Sequence, residues 1–176
     1  MFTKNFYFKD FKKQKKNKKL QKYLNRIISS GDEVIKSLLK NYDYSYTKQS
    51  IIKFKKFKHI RIFGMGGSSL GGNAIYDFLK YKIKKNFYFL SNLNGINFFP
   101  KRKYLNLIIS KSGNTLETIV NSNIYIKKND KNILVTDKKE SDFKSIANKL
   151  KAEIIDHNNY IGGRYSVLSE VGMLPA

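Results

Sequence analysis

The chain has no cysteine, which excludes disulfides, thiolate catalysis and sulfur-ligated metals and fits a reducing cytoplasm. Two histidines, His59 and His157, are too few for a convincing zinc site, so no metal is expected. No apolar run approaches the ~20 residues needed to span a bilayer. The start, Met1-Phe2-Thr3-Lys4-Asn5-Phe6, runs into lysines rather than a secretory core, which predicts a soluble, cytoplasmic protein with no membrane partner. Arginine is also scarce: Arg26, Arg61, Arg102 and Arg164 are the only ones among 35 basic residues. The net charge of +22 would ordinarily suggest nucleic acid. Base readers rely on arginine's bidentate contacts, however, and no helix-turn-helix, zinc-finger or RNA-binding aromatic signature accompanies the charge. The lysines, set among many Asn, Ile, Tyr and Phe as codon bias produces, read as a solvated surface, and no nucleic-acid partner is expected.

What is present suffices for one domain: 176 residues, 41% of them hydrophobic. Residues 10–50 read as two helices parted by Ser30-Gly31-Asp32. One has the stripe Leu20, Tyr23, Leu24, Ile27 and Ile28, the other Val34, Ile35, Leu38, Leu39 and Tyr42. The lysine-rich run 12–19 is expected to fray or face solvent. From His59 the pattern becomes short apolar strands alternating with helices. Strands are predicted at 60–63, 87–90, 105–109, 133–135 and 152–155. The helical stripes between them are Ala74/Ile75/Phe78/Leu79/Ile83, Leu116/Ile119/Val120/Ile124 and Phe143/Ile146/Ala147/Leu150. Such alternation demands right-handed crossovers and a parallel sheet covered on both faces, a doubly wound α/β sandwich. Ligands in such sheets bind beyond the carboxyl ends of the strands, where helix N-termini present free amides.

The polar motifs all fall at those ends. Gly64-Met65-Gly66-Gly67-Ser68-Ser69 follows the first strand, with glycines for a tight turn and serine hydroxyls at the next helix start. It reads as a sugar or phosphate contact or as a plain capped turn. Its spacing is not that of a dinucleotide fingerprint, Ser91 and Asn92 stand where a ribose-binding carboxylate would be, and the Walker pattern is absent. At Ser110-Lys111-Ser112-Gly113-Asn114-Thr115, three hydroxyls, one ammonium and helix-start amides can hold a phosphate dianion, reinforced by a dipole of about half a unit charge. The competing reading makes Ser112 or Asn114 an N-cap, with Glu117 completing a capping box. Arg164, after Gly162-Gly163, can stabilise charge developing on a substrate oxygen or form a structural ion pair. Asp137 and His157 also follow strands, and neither receives a role.

Three ordered strings, Gly64–Gly71, Ser110–Thr118 and Gly162-Gly163-Arg164-Tyr165-Ser166-Val167-Leu168-Ser169, resemble the glucose-6-phosphate isomerase family across residues 50–176. The resemblance implies a sugar-isomerase-type α/β/α sandwich at 51–160, preceded by a helical segment at 1–50. Residues 161–176 would begin the connection to a second such domain. It further implies cofactor-free interconversion of glucose 6-phosphate and fructose 6-phosphate through an enediol. Ser110, Lys111, Ser112 and Thr115 would hold the phosphate, Gly67 and Ser68 would line the sugar side, and Arg164 would stabilise the enediolate. The family's glutamate base, ring-opening histidine and late lysine have no counterpart here, and neither Glu117 nor Glu170 occupies the matching position. The expectation is therefore an N-terminal fragment of a homodimeric enzyme. Residues 167–176 would form a helix cut short, with Val171, Met173 and Leu174 unpartnered. A non-catalytic sugar-phosphate-binding protein on the same domain is the alternative.

Overall fold

A computed structural model of the chain describes residues 17–93, 98–127 and 129–176. The apolar runs form five parallel strands, β1 (His59–Phe63), β2 (Asn86–Leu90), β3 (Tyr104–Ile109), β4 (Lys131–Thr136) and β5 (Glu153–Asp156), in the order β2-β1-β3-β4-β5. All six residues of the central strand β3 are buried, as expected where helices cover both faces of a sheet. Among the described residues seven helices accompany the strands: α1 (Lys18–Ile28), α2 (Glu33–Lys36), α3 (Lys48–Ile52), α4 (Gly67–Leu79), α5 (Leu116–Tyr125), α6 (Asp142–Lys149) and α7 (Glu170–Met173). A 3-10 segment, Gly163–Leu168, precedes α7. On one face Ile62, Leu107, Ile109 and Val135 pack with Phe54, Phe89, Val171 and Leu174. On the other Phe63, Ile108 and Leu134 pack with Tyr125 of α5 and with Phe143 and Ala147 of α6. The predicted doubly wound sandwich is the fold observed, with every predicted strand in place.

The helices depart from prediction in instructive ways. The stripe on α1 exists, but Leu20, Tyr23, Leu24, Ile27 and Ile28 are all exposed, and the lysines before Asn17 lie outside the described residues. The second expected helix stops after one turn at Lys36. Tyr42 has a stronger partner elsewhere, since its hydroxyl donates to both Glu170 carboxylate oxygens at 3.0 Å. Helix α3, which sequence periodicity missed, is built by a reciprocal capping box between Thr47 and Ser50. On α4, Ala74 and Phe78 face solvent, while Tyr76 turns inward to pack on Phe87 and Phe89 at ring separations of 5.1 and 6.1 Å. On α5 the buried face is Thr118, Asn121, Ser122 and Tyr125, and Leu116 and Ile124 are exposed. The closing residues do find partners: Val171 is 6% exposed within the first core, and Leu174 packs against it. Among the described residues no helix is long and apolar enough to cross a membrane.

One ion lies inside this frame. Arg61 on β1 is 4% exposed, and burial pushes its pKa down while Asp130 opposes that shift. Its Nε donates to Asn106 Oδ1 (2.8 Å), Nη1 to the Tyr125 carbonyl (3.0 Å) and Nη2 to Asp130 Oδ2 (2.8 Å). Its guanidinium lies 4.4 Å from the Tyr104 ring centroid. A buried charge that loses its partner cannot recover hydration. Asp130→Ala should therefore destabilise the chain by about 3–5 kcal/mol, readable as a fall in the urea midpoint at constant slope.

Candidate functional site at the carboxyl edge of the sheet

In the order β2-β1-β3 the connection leaving β1 crosses one face and that leaving β3 the other, so a crevice opens above the carboxyl ends of these two neighbours. Both serine-rich motifs sit there. The loop after β1 delivers Gly67 as the first residue of α4. A Cβ on Gly67 would stand 2.4 Å from the Gly163 carbonyl oxygen and 2.6 Å from its carbon, so only glycine allows these two backbones to touch. Ser166 Oγ fastens the contact by donating to the carbonyls of Gly67 (3.2 Å) and Gly163 (2.8 Å). Ser69 is buried, its Oγ 3.2 Å from Ser91 Oγ, whereas Ser68 faces the crevice.

After β3, Ser110 is 1% exposed. Its Oγ accepts the Gly113 N–H (3.2 Å) and lies 2.9 Å from Thr115 Oγ1. Gly113 takes the left-handed conformation, φ 70°, that closes the turn. Ser112 Oγ accepts the Asn114 N–H at 3.3 Å. The residue at the N-cap of α5 is Thr115, not Ser112 or Asn114, and its side chain makes no cap hydrogen bond. No capping box with Glu117 forms. Because the Thr115 hydroxyl is engaged with Ser110, it leaves the first-turn amides of α5 to an incoming acceptor.

Ser68, Lys111, Ser112 and Thr115 converge on a cavity of about 480 Å³, joined by Asp137 and Lys139. Of the other predicted residues, Ser110 braces Thr115 from the interior and Gly67 precedes Ser68 in the chain. Lys111 Nζ donates to the carbonyls of Asn159 and, at 3.2 Å, Ile161, so it also ties this loop to the stretch leading to Arg164. Arg164 is exposed and forms no ion pair among the described residues, and it does not line the cavity. Its loop reaches the crevice through Gly163. Lys139 escaped sequence reasoning, although its place just beyond β4, beside β3, was the available signal. No group of three His, Asp or Glu side chains able to hold a metal occurs among the described residues.

Two further titratable groups are buried, Glu170 on α7 and His157 just after β5. Glu170 is fully buried and accepts from the Tyr42 hydroxyl, the Ser45 N–H (3.0 Å) and the Ser45 hydroxyl (3.2 Å). His157 is 2% exposed. Its backbone N–H donates to the Thr136 carbonyl (2.7 Å), its Nε2 lies 3.3 Å from Ser169 Oγ, and its Nδ1 has no hydrogen-bond partner. Burial pushes the His157 pKa below the ordinary histidine value, with Glu170 opposing and Lys111 adding to the shift.

Residues 27–176 match the family model described as phosphoglucose isomerase. The chain belongs to the phosphoglucose isomerase family. It is 35% identical over 155 residues to a glucose-6-phosphate isomerase of Borrelia garinii subsp. bavariensis, covering 74% of this chain and 29% of that protein. With the enzyme of the same name from Methanocaldococcus jannaschii the identity is 35% over 144 residues, 72% of this chain and 35% of the relative. The chain thus spans about a third of the length of these phosphoglucose isomerases. Among solved structures, tagatose-6-phosphate ketose/aldose isomerase from Escherichia coli shares the fold with a TM-score of 0.54 at 15% identity, over 72% of this chain and 39% of that one. A hypothetical protein from Thermus thermophilus does so with a TM-score of 0.61 at 21% identity, over 88% and 41%.

The phosphoglucose isomerase fold here carries a pH signature. A histidine held neutral in the folded state binds fewer protons than its unfolded counterpart, so stability rises with pH through that window. Both His157 and His59 are shifted downward. Stability should be full above about pH 6.5 and fall as pH drops below it. Urea titrations from pH 7.5 to 5 should show a shallower loss for His157→Asn than for the wild type.

Proposed function

We propose that the chain binds the phosphate of glucose 6-phosphate or fructose 6-phosphate in the cavity between the β1 and β3 loops, as the phosphate-holding part of a glucose-6-phosphate isomerase. The observation that carries this reading is the convergence of Ser68, Lys111, Ser112 and Thr115 on one cavity, beside a helix whose N-cap side chain is turned away from capping. The hydroxyls and amides donate to the phosphate oxygens, and Lys111 supplies positive charge. Gly67 and Ser68 line the sugar side. Arg164 is assigned to the enediolate, the anion left on O1 or O2 when the C2 proton of the opened aldose is removed for return to C1.

The proton transfer itself is assigned to a base outside these 176 residues. Glu170 is locked by Tyr42 and Ser45 in the interior, and Glu117 lies in the first turn of α5. Neither carboxylate lines the cavity. A cofactor-free, cytoplasmic, homodimeric parent enzyme belongs to the same proposal. The sequestration of Glu170 also favours a second reading, a sugar-phosphate-binding protein that does not turn over. Assay of the product of the complete reading frame separates the two, since formation of fructose 6-phosphate from glucose 6-phosphate removes the second.

Binding can be measured on the chain itself. Isothermal titration with fructose 6-phosphate should be saturable, and Ser110→Ala/Thr115→Ala should weaken it roughly tenfold or more, since hydrogen bonds to charged groups contribute about 1.5–3 kcal/mol each. Absence of binding by a wild-type chain shown to be folded would overturn the placement of the site.

A further inference from the structure

A larger cavity, about 760 Å³, opens at the opposite edge of the sheet, at the amino ends of β1, β3 and β4. Its walls carry five cationic side chains, Lys56, Lys58, Arg102, Lys103 and Lys131, with Phe57 and Tyr104 as the aromatic part. Among the described residues the one carboxylate in the lining, Asp130, is already engaged by Arg61 Nη2 (2.8 Å) and the Lys127 N–H (3.1 Å). The cationic charge is therefore not neutralised from within the cavity.

We propose that this cavity is a second anion site, separate from the sugar-phosphate crevice, that takes an oligophosphate. The volume lies in the range of small-molecule pockets, and five cations brought in from three strand ends suit several linked phosphates better than one. The pocket is concave and drawn from three strand ends, which favours a discrete ligand over a long nucleic-acid strand. Its interior reports on its own field. His59 Nε2 lies 3.0 Å from Arg102 Nη1, and its Nδ1 faces Tyr88 Oη (3.3 Å) and Asn86 Nδ2 (3.4 Å). Burial, then Arg102 and Lys58, hold its pKa below the ordinary value, and a bound polyanion must push it back up.

The chain has two histidines, and the second, His157, lies just after β5 at the carboxyl edge, so imidazole NMR reads each edge separately. At low salt, tripolyphosphate should raise the titration midpoint of His59 by about 0.5 or more and leave that of His157 in place. Lys103 and Lys131 are exposed, so Lys103→Gln/Lys131→Gln should keep the fold while weakening the effect at least tenfold. ATP run in parallel separates the sources of oligophosphate: tighter binding than tripolyphosphate identifies a nucleotide, and equal binding identifies the inorganic chain. The inference fails if His59 does not respond, if the double variant responds like the wild type, or if excess fructose 6-phosphate displaces the ligand. The first two outcomes leave fructose 6-phosphate binding at the other edge untouched, and the third means that the two ligands share one site.

Discussion

The site depends on a place where two backbones touch. Gly67 opens α4 and Gly163 opens the 3-10 segment, and their chains come together with no room for a methyl group between them. That approach sets the position of Ser68 on one side and of the loop bearing Arg164 on the other, and the Ser166 hydroxyl bridges the two carbonyls. Lys111, through the carbonyls of Asn159 and Ile161, and Val171, seated in the core, hold the same segment from two further directions. The parallel sheet supplies the remaining constraint, since its register brings the ends of β1 and β3 level, Phe63 opposite Ile108.

The strands were legible because buried parallel strands are nearly continuous apolar runs too short for helices, broken only by Arg61 in Ile60 to Phe63 and by Asn106 in Leu105 to Ile109. The serine-rich loop after β3 was legible as a candidate site because its polar groups are local: Ser110, Ser112 and Thr115 fall within six residues. The helical faces were less so. Hydrophobic periodicity ranks Leu116 and Ile124 above Thr118 and Ser122, yet the latter pair is buried, because where α5 lands is set by its short loop from β3 rather than by its own stripe. Long-range polar partners were invisible for a related reason. Nothing in the neighbourhood of Tyr42 announces that it will reach Glu170, 128 residues away.

The two edges of the sheet handle charge in opposite ways. At the amino edge Arg61 is drawn into the core and satisfied by a carboxylate, an amide and a carbonyl, so the charge becomes part of the frame. At the carboxyl edge the hydroxyls of Ser68, Ser112 and Thr115 share the cavity with Lys111, Asp137 and Lys139, so charge there lines an opening instead of entering the core. Glu170 stands between these cases, a carboxylate buried wholly among neutral donors. That arrangement explains why Tyr42 and Ser45 leave helical geometry and why α7 seats Val171 in the core.

Lys111 is the residue whose arrangement reaches furthest. Its ammonium rests on the carbonyls of Asn159 and Ile161, dipoles rather than a carboxylate, so the positive charge is held in place without being cancelled. A side chain already fixed in this way has little rotamer freedom left to lose when an anion arrives. The same anion competes with those carbonyls for the ammonium's three protons. A pull on the ammonium would pass directly to the segment that runs from Asn159 through Gly163 to Arg164, because Lys111 ties the cavity to the arginine loop.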